Sequence, residues 1–536
     1  MAGTKTYDRV VNFLGGMNTY LNPTELPPNQ SQILQNMIVL DNGRAITRPG
    51  ADSLGATPIT GGAVPIKGME FLSVPTYGDS LVVAKDTSLY SYNGTAWSSI
   101  SLGGATWNPL DQVLMCQGLD KMLLSDQTNE MLLYNGSSIT ALTAGLNNAP
   151  KGVQSIAYIA GMFVVSGSAM TQNGTIYPAD TIFFSDYLDA TDNHWHYTNN
   201  IRVGNGDGDP IVALATVQTT SGTVPQFNLA VLKQNSVWLL TWSPGSGTFT
   251  ANWTAAPQGS ITGSNIGCIG KNAWCNYNND LMFMSQEGVY SLQRMQASTG
   301  QYQLSAPLSL PIQQYIDRIN WSYAKNIQAT KYKQYAIFFV PLDSSTTNNY
   351  AFVWDGRMNQ WTIWTGWNPS ACCTTRFNGI LQFVYGDSTG TVNYWKDSKA
   401  IETSDSTYLD NGVGISWSVS TRAMIFGNLD FQKKLGAVQV RVNRGNATML
   451  LSAYLDLADQ DDWTSSITPS GITFPITFPV TFKSQQPVRV YRTLEGIPYC
   501  NEVYIQIIPA AGTTGWIDIR NVVMSAYLKP FKNPSA

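Results

Sequence analysis

Apolar and polar positions along this chain recur as a two-strand unit: an apolar run, a tight polar turn, and a second run that closes on aromatic residues. Leu81-Val82-Val83-Ala84 turns at Lys85-Asp86-Thr87 into Leu89-Tyr90-Ser91-Tyr92. Met122-Leu123-Leu124 with Met131-Leu132-Leu133-Tyr134 repeats the plan, as do Phe163-Val164-Val165 with Thr181-Ile182-Phe183-Phe184 and Leu229-Ala230-Val231-Leu232 with Val237-Trp238-Leu239-Leu240. Leu281-Met282-Phe283-Met284 with Gly288-Val289-Tyr290 and Tyr335-Ala336-Ile337-Phe338-Phe339 with Ala351-Phe352-Val353-Trp354 follow. The last pairs Leu381-Gln382-Phe383-Val384-Tyr385 with Thr391-Val392-Asn393-Tyr394-Trp395. These candidates are spaced roughly 40 to 60 residues apart, the range of propeller blades. A hairpin this small cannot hide both faces of its sheet, so radial packing of neighbours is the physical solution. The pattern predicts an all-β fold, with a β-propeller of about six to seven blades over residues 63–400.

The flanks read differently. Residues 1–62 carry no copy of the unit. Pro27 and Pro28 before Gln32-Ile33-Leu34-Gln35-Asn36-Met37 predict a short helix, since proline is tolerated in a first turn. Ile38-Val39-Leu40 before Asp41-Asn42-Gly43-Arg44 predicts a hairpin with Asn-Gly at its tip. The segment reads as an extended N-terminal arm with few core contacts of its own. After the polar stretch Glu402-Thr403-Ser404-Asp405-Ser406, residues 401–536 alternate at period two, in Ile415–Ser420, Ala437–Val442 and Val503–Ile508. Strands with one wet face predict a C-terminal β-sandwich.

Composition narrows the function. The 536 residues exceed one ordinary core, so more than one domain is expected. Only 12% are charged, and Lys+Arg 31 against Asp+Glu 35 leaves a net charge of -4. That gives no general pull toward nucleic acid. Sixteen Trp and 26 Tyr alongside 46 Gly and 26 Pro suit strands joined by many turns. The first residues lack the apolar core of a signal peptide, and no stretch approaches the ~20 apolar residues of a membrane helix. Synthesis in a cytoplasm and no membrane-spanning segment are the expectation. Cys116, Cys268, Cys275, Cys372, Cys373 and Cys500 form no Cys-x-x-Cys pair and read as free, largely buried thiols.

Candidate chemistry is sparse. His194 and His196 flank Trp195, and alternation on a strand would place both on one face, packed beside aromatics or, alternatively, ligating a metal. Asp207 and Asp209 lie in a glycine-rich loop that calcium could use, although the third oxygen position and distal Glu of an EF-hand are missing. Asp459-Gln460-Asp461-Asp462 reads as a solvated tip. Lys433, Lys434, Arg441 and Arg444 form a small basic cluster, either a lysine-protected sheet edge or a contact for a partner or nucleic acid. No nucleophile elbow, phosphate loop or paired carboxylates appear, so neither an enzyme nor a cofactor is expected. The alternative is a glycan-binding or glycan-cleaving propeller, with exposed Trp and Tyr stacking on sugars.

The opening of the chain carries an ordered motif: Gly15-Gly16-Met17-Asn18, Pro23, Leu26-Pro27, Asn36, Asp41-Asn42-Gly43 and Arg48-Pro49-Gly50. This resembles the start of the tail nozzle (tail tubular protein B) family of short-tailed bacteriophages. Thr421-Arg422, Phe426-Gly427-Asn428 and Lys433-Lys434 are similar to a run in related phage proteins. The resemblance implies a structural virion protein, found in the tail, that forms a homo-oligomeric ring, a hexamer. It would sit below the portal and adaptor ring, carry tail fibres on its flank, and pass viral DNA through its lumen without sequence preference. The arm motif residues would then serve assembly.

Overall fold

The computed structural model describes residues 5–55, 59–143, 147–204, 206–221, 224–243, 252–255, 266–295, 306–377, 379–397, 405–427, 432–456, 463–467, 488–494, 499–511 and 515–528. Strands dominate, and the few helices are one or two turns long. Among the described residues no helix is long and apolar enough to cross a membrane.

Seven antiparallel sheets succeed one another between Ile66 and Trp395, opening with the strands Ile66–Val74, Leu114–Gly118, Ser155–Ile159, Ile211–Ser221, Trp274–Tyr277, Gln328–Tyr332 and Pro369–Phe377. Every hairpin read from the sequence forms the second and third strands of one sheet. Leu81–Ala84 pairs with Leu89–Tyr92, for example, and Tyr335–Phe339 with Ala351–Asp355. These middle strands are apolar on both faces because a neighbouring sheet covers each side: Val82 and Ala84 pack with Met122 and Leu124 of the second sheet, and Leu81 and Val83 with Val384 and Val392 of the seventh. The opening strands touch in cyclic order, the seventh returning to the first. Between the fourth and fifth, Asn276 donates a 2.7 Å hydrogen bond to the Thr216 carbonyl. The arrangement is propeller-like.

The first and last parts of this ring are joined through the N-terminal segment. Ala51–Ser53 is the fourth strand of the seventh sheet, paired with Asn393–Trp395. The sixth sheet is extended rather than finished. Its outer strand Gln360–Thr365 meets Ile33–Gln35, which pairs with Ser418–Ser420. The strands Val503–Pro509, Met449–Leu455 and Trp463–Ile467 carry the same sheet to its far edge. A second sheet lies against that extension. It contains Val488–Thr493, Lys433–Gly445 and Ile517–Leu528, together with the N-terminal strands Lys5–Val10, Met37–Val39 and Ala45–Thr47. Val438, Val440, Val522 and Met524 from this sheet share one core with Val419, Leu451, Ile505 and Ile507 from the other.

Two expectations are corrected here. The segment 5–53 is not an arm with few core contacts: Val10, Phe13, Leu34, Met37 and Ala45 are completely buried, and it supplies strands to three sheets. No helix forms around Pro27–Met37. Ile33–Gln35 is held as a strand between two partners, and Asn36 takes a left-handed φ of 55° that ends it. The predicted turn at Asn42-Gly43 is present. Gly43 has φ +77° and donates to Leu40, while Leu40 donates to the Arg44 carbonyl. The stretch 402–404 lies outside the described residues; Asp405–Tyr408 is a short 3-10 turn.

Candidate functional site

Two sites stand out, a polar hub at the ring axis and a buried polar seam at its outer edge.

The hub is a cavity of about 700 Å³ lined by all seven opening strands. Alternation within Ile66–Val74 turns Glu70 into it, between Met69 and Phe71. Its carboxylate accepts a 3.0 Å hydrogen bond from the Phe71 amide, and burial raises its pKa to about 7. Lys271, on the loop before Trp274–Tyr277, bonds to Gln127, and burial lowers its pKa to about 8. Burial holds Cys116 and Cys275 as neutral thiols with pKa values near 12, and pushes Cys372 and Cys373 up as well. None of the six cysteines forms a disulfide. Among the lining residues Glu70 is the single carboxyl group, whereas two-carboxylate glycoside chemistry requires a pair.

The seam is built around Arg48, which is fully buried and follows the equally buried Thr47 at the end of a hairpin strand. Its guanidinium makes a two-pronged pair with Asp410 at 2.7 and 3.1 Å. Its Nε donates to Asn36 Oδ1 at 3.0 Å, and a terminal nitrogen donates to the Thr365 carbonyl at 2.7 Å. The flat face of the guanidinium lies 4.4 Å from the Trp367 ring centre. Asp410 also accepts from Trp367 Nε1 and from the Ala51 amide. The five donors of one arginine therefore tie the N-terminal segment to the sixth sheet and to the start of the C-terminal region.

The other motif residues surround this seam. Asn36 bridges Thr365 and the Ser416 carbonyl. The Pro49 carbonyl accepts from Trp395 Nε1. Gly50 packs so tightly that a Cβ there would meet the Leu409 carbonyl oxygen at 1.9 Å. Gly16, at φ +66°, has Gln360 Cβ 2.6 Å from where its own would stand, and Gly15 is closed in by Gln30. Asn18 caps its own turn, accepting from the Tyr20 and Leu21 amides. Pro23 accepts from the Ala423 amide, Leu26 is buried, and Asp41 pairs with Arg357 at 3.1 Å. Each of these residues has an intramolecular role, which corrects the picture of a free assembly arm.

Other sequence candidates resolve individually. Asp207 holds the buried Lys233 with both oxygens, at 2.6 and 2.7 Å. Asp209 instead accepts from Asn235 and Ser236. The two carboxylates of the calcium candidate thus serve different partners; Asn205 lies outside the described residues. His194 and His196 are not on a strand. They lie on a half-exposed loop where Asp186 is 3.0 Å from His194 Nδ1 and 3.3 Å from His196 Nε2, while Trp195 between them is buried. The basic cluster splits. Lys433 is buried and donates to the Asn501 carbonyl, Lys434 and Arg441 lie on the opposite face of the strand, and the side chain of Arg444 lies outside the described residues, as does the acidic tip 459–462.

Sequence reasoning missed Glu70, Lys271, Lys233 and Asp410. A lone glutamate between Met69 and Phe71 in an otherwise apolar strand was a usable signal for the first. Asp410 had none, because its partner is 362 residues away.

No family model matches the chain, and no curated protein does. Among solved structures it is similar to the WD40 β-propeller domain of Doa1, at 10% identity, covering 66% of this chain and 100% of that one, with a TM-score of 0.32. It is similar to the computationally designed Ika8 protein at 13% identity, covering 64% and 99%, TM-score 0.33. An exo-beta-1,3-galactanase from Phanerochaete chrysosporium, crystallised with galactose, aligns at 9% identity over 89% of this chain and 100% of its own, TM-score 0.25. TM-scores this low carry no argument, and the architecture rests on the strand pairing above.

Proposed function

We propose that the chain is a structural component of a short-tailed bacteriophage tail, nozzle-like and without catalysis. On this reading it is a seven-bladed β-propeller joined to a C-terminal β-sandwich. The observation that carries it is the placement of the resemblance. Asn36, Arg48, Pro49 and Gly50, the core of the motif, meet at a junction that ties ring, N-terminal segment and C-terminal region together. A motif in that position supports an architectural role. The protein would assemble as a homohexamer in the virion tail, contacting the portal or adaptor ring and the tail fibres. On this reading the lumen that passes viral DNA belongs to the oligomer and not to the hub cavity of about 700 Å³ within one chain.

Class averages of the purified full-length protein by electron microscopy test this. Six-fold rings are expected. Monomers alone, both in purified material and in material released from virions, would overturn it.

A further inference from the structure

The outward face of the C-terminal sheet is cationic and aromatic, in a chain of net charge -4. Strand pairing lays it out in rows. Lys5, Tyr527 and Lys434 stand side by side across three strands. Two residues further along, Tyr7 occupies the same face, and the Lys5 ammonium lies 5.4 Å from the Tyr7 ring and 5.9 Å from the Tyr527 ring. The next row runs from Arg9 to Tyr491, and beyond it Arg441 stands directly opposite Arg489. Tyr7 is 65% exposed and Tyr491 55%. None of these five cations makes an ion pair among the described residues, although thirteen other Lys or Arg pairs with carboxylates form there. Nor does any row carry a carboxylate among the described residues.

This pattern is costly in isolation. Like charges opposite one another across a strand pair are destabilising, and Arg441 and Arg489 are such a pair. Edge protection explains a charge on an outer strand, but Lys434 and Arg441 lie on an inner one, flanked on both sides. An external polyanion removes the repulsion. Exposed tyrosine faces between the cations select the kind of polyanion, because every nucleobase offers a π-face and an acidic peptide or a lipid headgroup offers none. We infer that this sheet face binds single-stranded nucleic acid, through backbone contacts from Lys5, Lys434, Arg441 and Arg489 and base stacking on Tyr7 and Tyr491. The surface spans four strands, about 14 Å across. The inference does not depend on the tail assignment.

Fluorescence anisotropy of the full-length chain with a labelled oligothymidylate of about 12 nucleotides tests it. Saturable binding is expected, weakening with salt at a log–log slope of about -2 to -3 for three to four phosphate contacts. Lys434→Glu with Arg489→Glu should weaken it at least tenfold. Tyr7→Leu with Tyr491→Leu should weaken it about tenfold while leaving binding of heparin, a polyanion without bases, unchanged. Absence of saturable binding, or binding unaffected by the charge reversals, overturns the site. Polyglutamate binding as tightly as the oligonucleotide, with no loss in the tyrosine variant, also overturns it and assigns the face to an acidic protein. Both double variants change exposed side chains, and an unaltered thermal transition verifies their folding.

Discussion

The hub and the seam are both polar and both enclosed, yet they are built in opposite ways. At the hub, seven strands from seven successive sheets each contribute a little, and their polar groups face a cavity. At the seam, one fully buried arginine and one partly exposed aspartate from distant parts of the sequence hold each other. The hub should tolerate the loss of a single polar group, because its cavity leaves room for water. The seam does not, because removing either partner leaves a charge buried without compensation. A repeated architecture thus places its redundancy at the axis and its vulnerability at the closure.

The strongest way to break this comparison is to remove the N-terminal segment. Deleting residues 1–53 strips strands from three sheets and exposes a large part of the shared core. The cooperative unfolding transition should be lost, as followed by circular dichroism. A folded remainder with an unchanged melting curve would show that the seam is dispensable. Asp410→Ala is the sharper cut. It should cost about 3–5 kcal/mol in urea denaturation, and replacing both partners, as Arg48→Met with Asp410→Leu, should cost less than the single change. Equal losses would show that packing rather than charge governs the seam.

Glu70→Gln tests the hub and should have a smaller effect of opposite sign. The folded carboxyl is raised to about 7 from an ordinary 4.5, so the folded protein keeps a proton that the unfolded chain releases between those values. Stability from this group is complete below about pH 4.5 and is lost as pH rises through 7. The glutamine variant should flatten that part of the stability–pH profile and gain on the order of 1–2 kcal/mol at pH 8. A profile that keeps its slope would place its origin elsewhere. Least of all, Lys325→Ala removes an exposed pair with Asp111 and should shift stability by less than about 1 kcal/mol.

The same contrast explains what the sequence made legible. Period-two apolar runs with tight turns identified the middle strands of all seven sheets, because each hairpin encodes its own pairing locally. Local encoding fails for Ile33–Gln35. Its residues suit a helix after two prolines, and only Gln360–Thr365 and Ser418–Ser420, hundreds of residues later, hold them extended. Arg48 was legible as part of an ordered motif but not as a buried ion, since its partner lies far along the chain. His194 and His196 were placed on a strand by alternation alone, where Asp186 and a buried Trp195 fix a loop instead.

The strand Ala51–Ser53 has one more consequence, which concerns time rather than stability. It leaves the ribosome early, but its partner Val392–Trp395 is made some 340 residues later. Closing a loop of that length carries an entropic cost that no local hairpin shares. The hairpins of the first six sheets pair with strands made close by in the sequence, while the seventh gains its outer strand only when the chain's beginning is recaptured. Until then Val392–Trp395 is an open strand edge, able to accept the Ala51–Ser53 segment of another copy as readily as its own. The order of synthesis therefore makes this strand the point at which a growing chain either closes on itself or exchanges ends with its neighbour.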